Sequence, residues 1–260
     1  MNSTMKSTIR RLINTFGYDI QRKPAVLPVF IKRHIWEPLV RPNWMMQLYF
    51  EGIKRSQNEW TDNFYKQLRF YSLQQIALYV LRQKLAGDFV ECGVWKGHSA
   101  YMISSILRKH ESNKTLHLFD AFEEGGLSNK KEKDKNLVRD LSEKAIREES
   151  DMMLSVESEV RACLNNFEFV RFYKGWIPDR FSEVEDRQFS FVHVDVDLHE
   201  TTSDIMNFFY PRLVKNGAIV CSDYGLTQFP GPKRAIDKFL ENNSHKLFYE
   251  VPMGGCFIIK

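Results

Sequence analysis

A chain of 260 residues, with 43% hydrophobic and 27% charged side chains, is long enough to bury one substantial core. This globular composition excludes a fibrous, collagen-like or largely disordered protein. The net charge of +4 is too small to indicate nucleic-acid binding, which usually needs a concentrated basic stripe, so no nucleic-acid partner is expected.

Residues 1–62 are predicted to form a basic, aromatic-rich extension made of short helices, because four prolines between residues 24 and 42 exclude one long helix. The excess of Lys and Arg here suits contact with an anionic partner or a membrane surface, or else an ordinary solvated helical surface. The aromatic residues from 36 to 60 would pack on their own domain or across a homodimer interface.

A cytoplasmic protein is expected. Cys92, Cys163, Cys221 and Cys256 lie far apart without a C-x-x-C pair, which favours reduced, buried thiols. No apolar run is long enough for a signal peptide or a transmembrane helix.

The main domain is predicted over residues 63–260, because strand and helix patterns alternate there. Apolar residues at helical spacing predict a first helix over 63–85, and Gly87 follows as a stop. The predicted strands are 88–94, 115–120, 167–173, 189–195, 217–221, 247–251 and 256–259, and the later helices are 98–110, 204–213 and 233–242. This alternation indicates crossover connections and a doubly wound α/β fold with a mainly parallel sheet.

The crossover after the second strand is interrupted at about 124–160 by a dense mixture of Lys, Glu, Asp and Ser. We interpret this segment as an insertion over the site. A mobile lid and an inert solvated helix are equally compatible with its charge pattern.

Four of the predicted strands end in carboxylates, at Glu91, Asp120, Asp195 and Asp223. In an open α/β sheet, ligands bind beyond the carboxyl ends of the strands. Each acid alone is explained by a helix cap or a surface charge, but four acids at one sheet edge indicate a binding site.

The turn after the first strand carries Gly93 and Gly97, which allow a ligand to approach the backbone. The third glycine of the dinucleotide fingerprint is missing, which disfavours NAD. Asp120 ends the next strand, where an acid binds ribose hydroxyls. The glycine turn and Asp120 together therefore suit a ligand that contains a nucleoside but no pyrophosphate.

His193, Asp195 and Asp197 alternate along the predicted fourth strand and are expected on one face. Neighbouring carboxylates either bind a cation or raise one another's pKa, and Ser222 and Asp223 would complete a set of oxygen ligands. Alternatively, Asp197 caps the next helix and Asp223 stabilises a turn. His193 is expected to be a packed core residue.

Together these segments resemble the macrocin O-methyltransferase family, whose members methylate sugar hydroxyls. The resemblance runs from about residue 87 to residue 239. It rests on 90–97 (VECGVWKG), 118–123 (LFDAFE), 195–202 (DVDLHETT), 210–213 (YPRL), 216–217 (NG), 222–225 (SDYG) and 235–237 (AID).

The resemblance implies a seven-stranded sheet of the class I methyltransferase type, with a reversed last strand and S-adenosylmethionine over the first three strands. It implies that the methionine end contacts Glu91, Gly93, Gly97 and Ser99, and that Asp120 binds the ribose. By the same likeness, Gly175 and Trp176 lie near the adenine, and Val94 and Phe122 belong to the cofactor site.

The resemblance also implies a divalent cation, usually Mg²⁺, held by an aspartate after the fourth strand and two successive aspartates after the fifth. Asp195 and Asp223 match two of these ligands, whereas Ser222 replaces the third with a neutral hydroxyl. Asp195 would also act as the catalytic base, and Asp197 could exchange roles with it. His199 stands where the family commonly has tyrosine, and it is placed with Asp195 in the catalytic site.

The sequence therefore predicts an S-adenosylmethionine-dependent O-methyltransferase that acts on a hydroxyl of a sugar, glycosylated metabolite or glycan. Rival hypotheses are a catechol or another small metabolite as acceptor, and a degenerate methyltransferase fold that only binds partners. A Rossmann oxidoreductase ranks third.

Overall fold

The computed structural model describes residues 44–122, 154–227, 229–251 and 254–260. The chain divides into two compact units, Met1–Met46 and Gln47–Lys260. Residues 47–62 of the predicted extension thus belong to the same unit as the sheet. The first 43 residues of that extension, and residues 124–153 of the predicted insertion, lie outside the described residues.

Two helices precede the sheet, α1 (Trp44–Arg55) and α2 (Phe64–Arg82), with a 3₁₀ helix (Glu59–Thr61) between them. The side chain of Asn63 caps α2 by accepting a hydrogen bond from the backbone N–H of Lys66 at 2.9 Å. The helix predicted over 63–85 therefore forms, and it ends before the left-handed turn at Gly87 (φ +92°).

The remaining elements alternate as the sequence indicates. They are β1 (Asp88–Cys92), α3 (His98–Lys109), β2 (Leu116–Asp120), α4 (Glu157–Cys163), β3 (Val170–Lys174), a 3₁₀ helix (Phe181–Val184), β4 (Phe189–Val194), α5 (His199–Arg212), β5 (Leu213–Cys221), α6 (Gly231–Asn242), β6 (Leu247–Glu250) and β7 (Cys256–Ile259). α4 occupies the end of the predicted insertion, so part of that segment is an ordinary crossover helix.

The seven strands form one sheet in the order β3-β2-β1-β4-β5-β7-β6. β1 to β5 pair in parallel, whereas β7 runs antiparallel to both β5 and β6. This confirms the doubly wound sheet with a reversed last strand. The order reverses between β1 and β4, and a topological switch point of this kind opens a crevice at the carboxyl edge.

Some boundaries differ from the sequence prediction. α5 begins at residue 199 rather than 204, because the Thr202 N–H donates to the Leu198 carbonyl at 3.0 Å and closes an extra turn. The Thr202 hydroxyl donates to the same carbonyl at 2.7 Å. β5 begins at residue 213 rather than 217, and β3 begins at 170 rather than 167. β4 ends at Val194, so the alternation predicted through Asp197 stops there, and Asp197 adopts a left-handed φ of +60°.

The central strands β1, β2 and β4 are buried on both faces, whereas β6 at the sheet edge is largely exposed. On one face, Phe119 and Val192 pack in a single cluster with Phe209 of α5 and Ile236 of α6. On the other face α2 packs against α3 and β5. Burying an aromatic or aliphatic side chain of this size stabilises the fold by roughly 1.5–3 kcal/mol, so the strand positions are fixed by the core.

Among the described residues, no helix is long and apolar enough to cross a membrane.

Candidate active site

A cavity of about 420 Å³ opens at the carboxyl ends of β1, β2, β4 and β5. The loops that follow these strands form one wall of the cavity. Residues 58–70, which precede the sheet in sequence, form the other wall. The cavity therefore joins the strand-end carboxylates predicted from the sequence to a segment that the motifs did not include.

The glycine turn after β1 brings two strand ends into contact. Gly93 has φ +85°, and a Cβ added there would lie 1.9 Å from the carbonyl oxygen of Asp195. Only glycine permits this close approach. Gly97 (φ +82°) then begins α3 and faces Val160 rather than the cavity.

Asp120 holds the glycine turn in place from the end of β2. Its Oδ2 accepts hydrogen bonds from the backbone N–H groups of Val94 at 2.6 Å and Trp95 at 2.9 Å. Its Oδ1 accepts from the N–H of Phe122 at 2.7 Å. Burial raises the pKa of Asp120, and these amide donors oppose that rise. The carboxylate lines the cavity and retains acceptor capacity for a ligand.

Asp195, Asp197 and Asp223 meet beyond β4 and β5, and all three line the cavity. Asp223 is buried, and its Oδ2 accepts from the N–H groups of Val196 at 2.8 Å and Asp197 at 2.9 Å. Burial raises the pKa of Asp223 well above its usual range, and the charges of Asp197 and Asp195 raise it further. Asp223 therefore shapes the loop that carries Asp195.

A buried hydrogen-bonded chain runs behind the cavity wall. Glu91 on β1 is fully buried, and its Oε1 lies 2.7 Å from Nδ1 of His193 on β4. Nε2 of His193 lies 2.8 Å from the hydroxyl of Ser222. Burial alone would lower the pKa of His193, but the hydrogen bond and charge of Glu91 outweigh it and raise that pKa. Both ring nitrogens are thus engaged, and Glu91 contacts His193 rather than the cavity.

Only two of the three predicted metal ligands, Asp195 and Asp223, come together at the cavity. The hydroxyl of Ser222 is directed to His193, and Ser222 does not line the cavity. One oxygen of Asp223 is already shared by two backbone amides. In the part of the chain that the structure describes, no three His, Cys, Asp or Glu side chains are placed to hold a metal ion. The set of three oxygen ligands that the resemblance implied for Mg²⁺ is therefore incomplete, because the Ser222 hydroxyl does not join the two carboxylates.

The side of the cavity under β2 and β3 is largely apolar. Gly175 (φ +146°) follows β3, and its N–H donates to the Asp120 carbonyl at 3.0 Å. Trp176 packs against Leu198 and Phe229. This flat aromatic surface is suited to a planar base.

Most of the predicted site residues face this one cavity. Those that line it are Gly93, Val94, Ser99, Asp120, Phe122, Gly175, Trp176, Asp195 and Asp223. Glu91, Gly97, Ser222 and His199 do not. His199 begins α5, where its backbone N would lie 2.8 Å from a Cβ built on Gly231.

The polar cavity residues that were not found from the sequence include Asn58, Lys66, Arg69 and His98. Asn58 is fully buried, and neither its Oδ1 nor its Nδ2 has a hydrogen-bond partner among the described residues. His98 is buried with its Nε2 2.9 Å from the Tyr49 carbonyl, and its Nδ1 likewise lacks a partner there. Burial lowers the pKa of His98 to about 3, so its imidazole is neutral and Nδ1 is an acceptor. These polar atoms are available to a ligand.

The family model described as Macrocin-O-methyltransferase matches residues 55–254. The chain belongs to the macrocin O-methyltransferase family. It is thus an O-methyltransferase that uses S-adenosylmethionine.

Several known proteins and solved structures are similar to this chain in sequence or in fold. A demethyldecarbamoylnovobiocin O-methyltransferase of Streptomyces niveus is 26% identical over 199 residues, covering 74% of this chain and 73% of that protein. An 8-demethyl-8-(2,3-dimethoxy-alpha-L-rhamnosyl)-tetracenomycin-C 4'-O-methyltransferase of Streptomyces olivaceus is 27% identical over 163 residues, covering 61% of this chain and 60% of that protein. The structure of the O-methyltransferase NovP has a TM-score of 0.63 at 23% identity, with 74% of this chain and 79% of that chain covered, and supports the same fold.

Proposed function

We propose that this O-methyltransferase methylates a hydroxyl of a sugar or of a glycosylated small molecule. The observation that carries the proposal is the single cavity that joins the glycine turn and Asp120 to the Asp195 carboxylate. A relative from Streptomyces olivaceus whose printed name specifies a rhamnosyl group supports a sugar as acceptor.

The residues present fit S-adenosylmethionine. The unpartnered amide of Asn58 and the acceptor Nδ1 of His98 suit the amino-acid end of this molecule, beside Ser99 and the turn at Gly93. Asp120 has acceptor capacity for ribose hydroxyls, and Trp176 has a flat face for adenine. When bound, S-adenosylmethionine supplies an electrophilic methyl group on a positively charged sulfur.

Asp195 is the proposed general base. Its position beyond β4, next to the glycine turn, places a carboxylate between the proposed cofactor side and the wall formed by residues 58–70. Asp195 takes the proton of the acceptor hydroxyl and later releases it to water. A positioned base of this kind typically contributes 10²–10⁴-fold to the rate.

Glu91 and His193 are proposed as positioning residues. Their buried pair spans neighbouring strands, and through Ser222 it fixes the end of β5 against the end of β4. Glu91, which does not line the cavity, is therefore proposed to act on the site through the loops.

Two measurements test the proposed function. Isothermal titration with S-adenosylhomocysteine should show saturable binding that Asn58→Ala weakens. Incubation with S-adenosylmethionine and a panel of aryl glycosides, catechols and unglycosylated phenols, analysed by mass spectrometry, should give a methylated glycoside. Methylation of catechols alone would refute the sugar assignment, and cofactor binding without any methylation would favour the degenerate binding module.

We also propose a cytoplasmic location, which the four cysteines support because all are buried free thiols. Fractionation of the native host would test it. A membrane contact through the basic residues 1–43 stays a proposal that vesicle sedimentation would test.

A homodimer is a further proposal, supported by the exposed aromatic residues Phe50, Trp60, Tyr65 and Tyr71, of which Trp60 is 64% exposed. Light scattering of the full chain would show a monomer if this proposal is wrong.

A further inference from the structure

Helix α2 directs two cations toward the carboxylates of the site. Lys66 and Arg69 are three residues apart, which places them on one face of the helix, and both line the cavity. Lys66 is 7% exposed, and the negative charges of Asp195 and Asp62 act on its ammonium group. The ammonium donates to the Thr61 hydroxyl at 2.5 Å and keeps two further N–H groups, so positive charge is built into the cavity wall.

Arg69 contacts the end of β5, where the resemblance had suggested a metal ligand. Its Nη1 donates to the backbone carbonyl of Ser222 at 3.4 Å. Its Nε is buried and has no hydrogen-bond partner among the described residues. The guanidinium therefore has an unpartnered donor, and Arg69 lines the cavity.

The side chain of Ser222 is not directed into the cavity. Its hydroxyl bonds to His193 behind the wall, so the neutral side chain that replaces an acid offers no oxygen to a cation in the cavity. The Lys66 ammonium, whose charge interacts with that of Asp195, would oppose the binding of a divalent ion there. Like charges repel more strongly in a partly buried site than in water.

We propose that Lys66 and Arg69 take the place of the divalent cation in this enzyme and bind the acceptor oxygen directly. The proposal rests on the proposed function. The acceptor O–H proton passes to Asp195, and the acceptor oxygen forms its new bond to the methyl carbon as the carbon–sulfur bond of S-adenosylmethionine breaks. Lys66 and Arg69 keep their protons and stabilise the negative charge that develops on the oxygen.

The test measures metal binding, so it does not require a known acceptor. Mn²⁺ is titrated into the S-adenosylhomocysteine-loaded full chain, and free Mn²⁺ is followed by electron paramagnetic resonance. Wild type should show no saturable binding. Lys66→Met, which removes the ammonium group but keeps an unbranched side chain, should show saturable Mn²⁺ binding in the same concentration range, because the carboxylates lose their internal cation.

Two results would overturn the proposal: saturable Mn²⁺ binding by wild type that Asp195→Asn abolishes, or identical titrations of wild type and Lys66→Met. Lys238→Met, an exposed lysine on α6, is the matched control and should behave as wild type. If Lys66→Met does not fold, as judged by circular dichroism, Arg69→Met is measured in its place.

Failure of the proposed function gives a different result. In that case S-adenosylhomocysteine does not bind, or no glycoside is methylated, whatever the Mn²⁺ titration shows. If a glycoside is methylated, EDTA should leave the wild-type rate unchanged, while Lys66→Met and Arg69→Met should lower kcat. A loss of wild-type activity in EDTA that Mg²⁺ restores would also contradict the proposal.

Discussion

The buried ammonium group of Lys66 should make the stability of this protein rise at alkaline pH. Burial and the charge of Arg69 lower the pKa of Lys66 from 10.5 to about 8, although Asp195 and Asp62 act in the opposite direction. In the unfolded chain the pKa returns to its ordinary value. Between pH 8 and 10.5 the unfolded state therefore binds more protons than the folded state, and stability rises with pH.

The size of the effect follows from the shift. A difference of about 2.5 pKa units, at 1.36 kcal/mol per unit, corresponds to about 3 kcal/mol. Below pH 8 the folded protein bears this whole cost, and above pH 10.5 it bears none. Replacing Lys66 with methionine removes the titration, so the stability advantage of Lys66→Met over wild type should be about 3 kcal/mol larger at pH 7 than at pH 10.5.

Urea unfolding followed by tryptophan fluorescence, at half-unit steps from pH 7 to pH 10.5, measures this difference. Other groups that titrate in the same range cancel when wild type and variant are compared. Lys238→Met should give a constant difference from wild type at every pH. A constant difference for Lys66→Met as well would refute the claim that this ammonium group is desolvated in the folded protein.

Three further substitutions should separate the roles of the cavity wall. Gly93→Ala should destabilise the fold by more than about 3 kcal/mol in urea unfolding, because its Cβ would overlap the Asp195 carbonyl at 1.9 Å; an unchanged midpoint would contradict the close approach. Asp120→Ala removes the acceptor for three backbone N–H groups and should weaken S-adenosylhomocysteine binding at least about tenfold by calorimetry. Asn58→Ala removes an amide with no partner in the described chain, so it should weaken that binding while leaving the urea midpoint unchanged or raised, and a lowered midpoint would show a structural role.

Hydrophobic period and glycine position predict the sheet well here, because each strand is short, apolar and followed by a turn. The pairing of β1 with β4 places Glu91 beside His193, and this pairing is set by the fold rather than by any local motif. The sequence therefore predicts Glu91 to be a ligand-binding residue at a strand end, although its side chain is buried beside His193 on the neighbouring strand. The sequence alone does not show at which residue a strand ends. An acid at the second-to-last position of a strand therefore looks the same as an acid at its last position.

Asn58, Lys66 and Arg69, which the sequence did not predict as cavity residues, lie on, or just before, helices that precede the sheet. Lys66 and Arg69 read as surface charges on an amphipathic helix, and only the packing of α2 against α3 and β5 turns them toward the cavity. Asn58 precedes a 3₁₀ helix whose short sequence has no recognisable pattern. In each case the signal depends on contacts between segments that are distant in sequence.

The two walls of the cavity are encoded in separate parts of the chain. Every cavity residue from Asn58 to Phe70 precedes β1, whereas the glycine turn, Asp120 and Asp195 all follow it. A recombinant in which residues 58–70 come from another family member would exchange one wall while keeping the sheet-borne wall intact. Because Asn58 of the exchanged wall is proposed to bind the methyl donor, such a graft would change acceptor preference independently of donor binding only if Asn58 is kept.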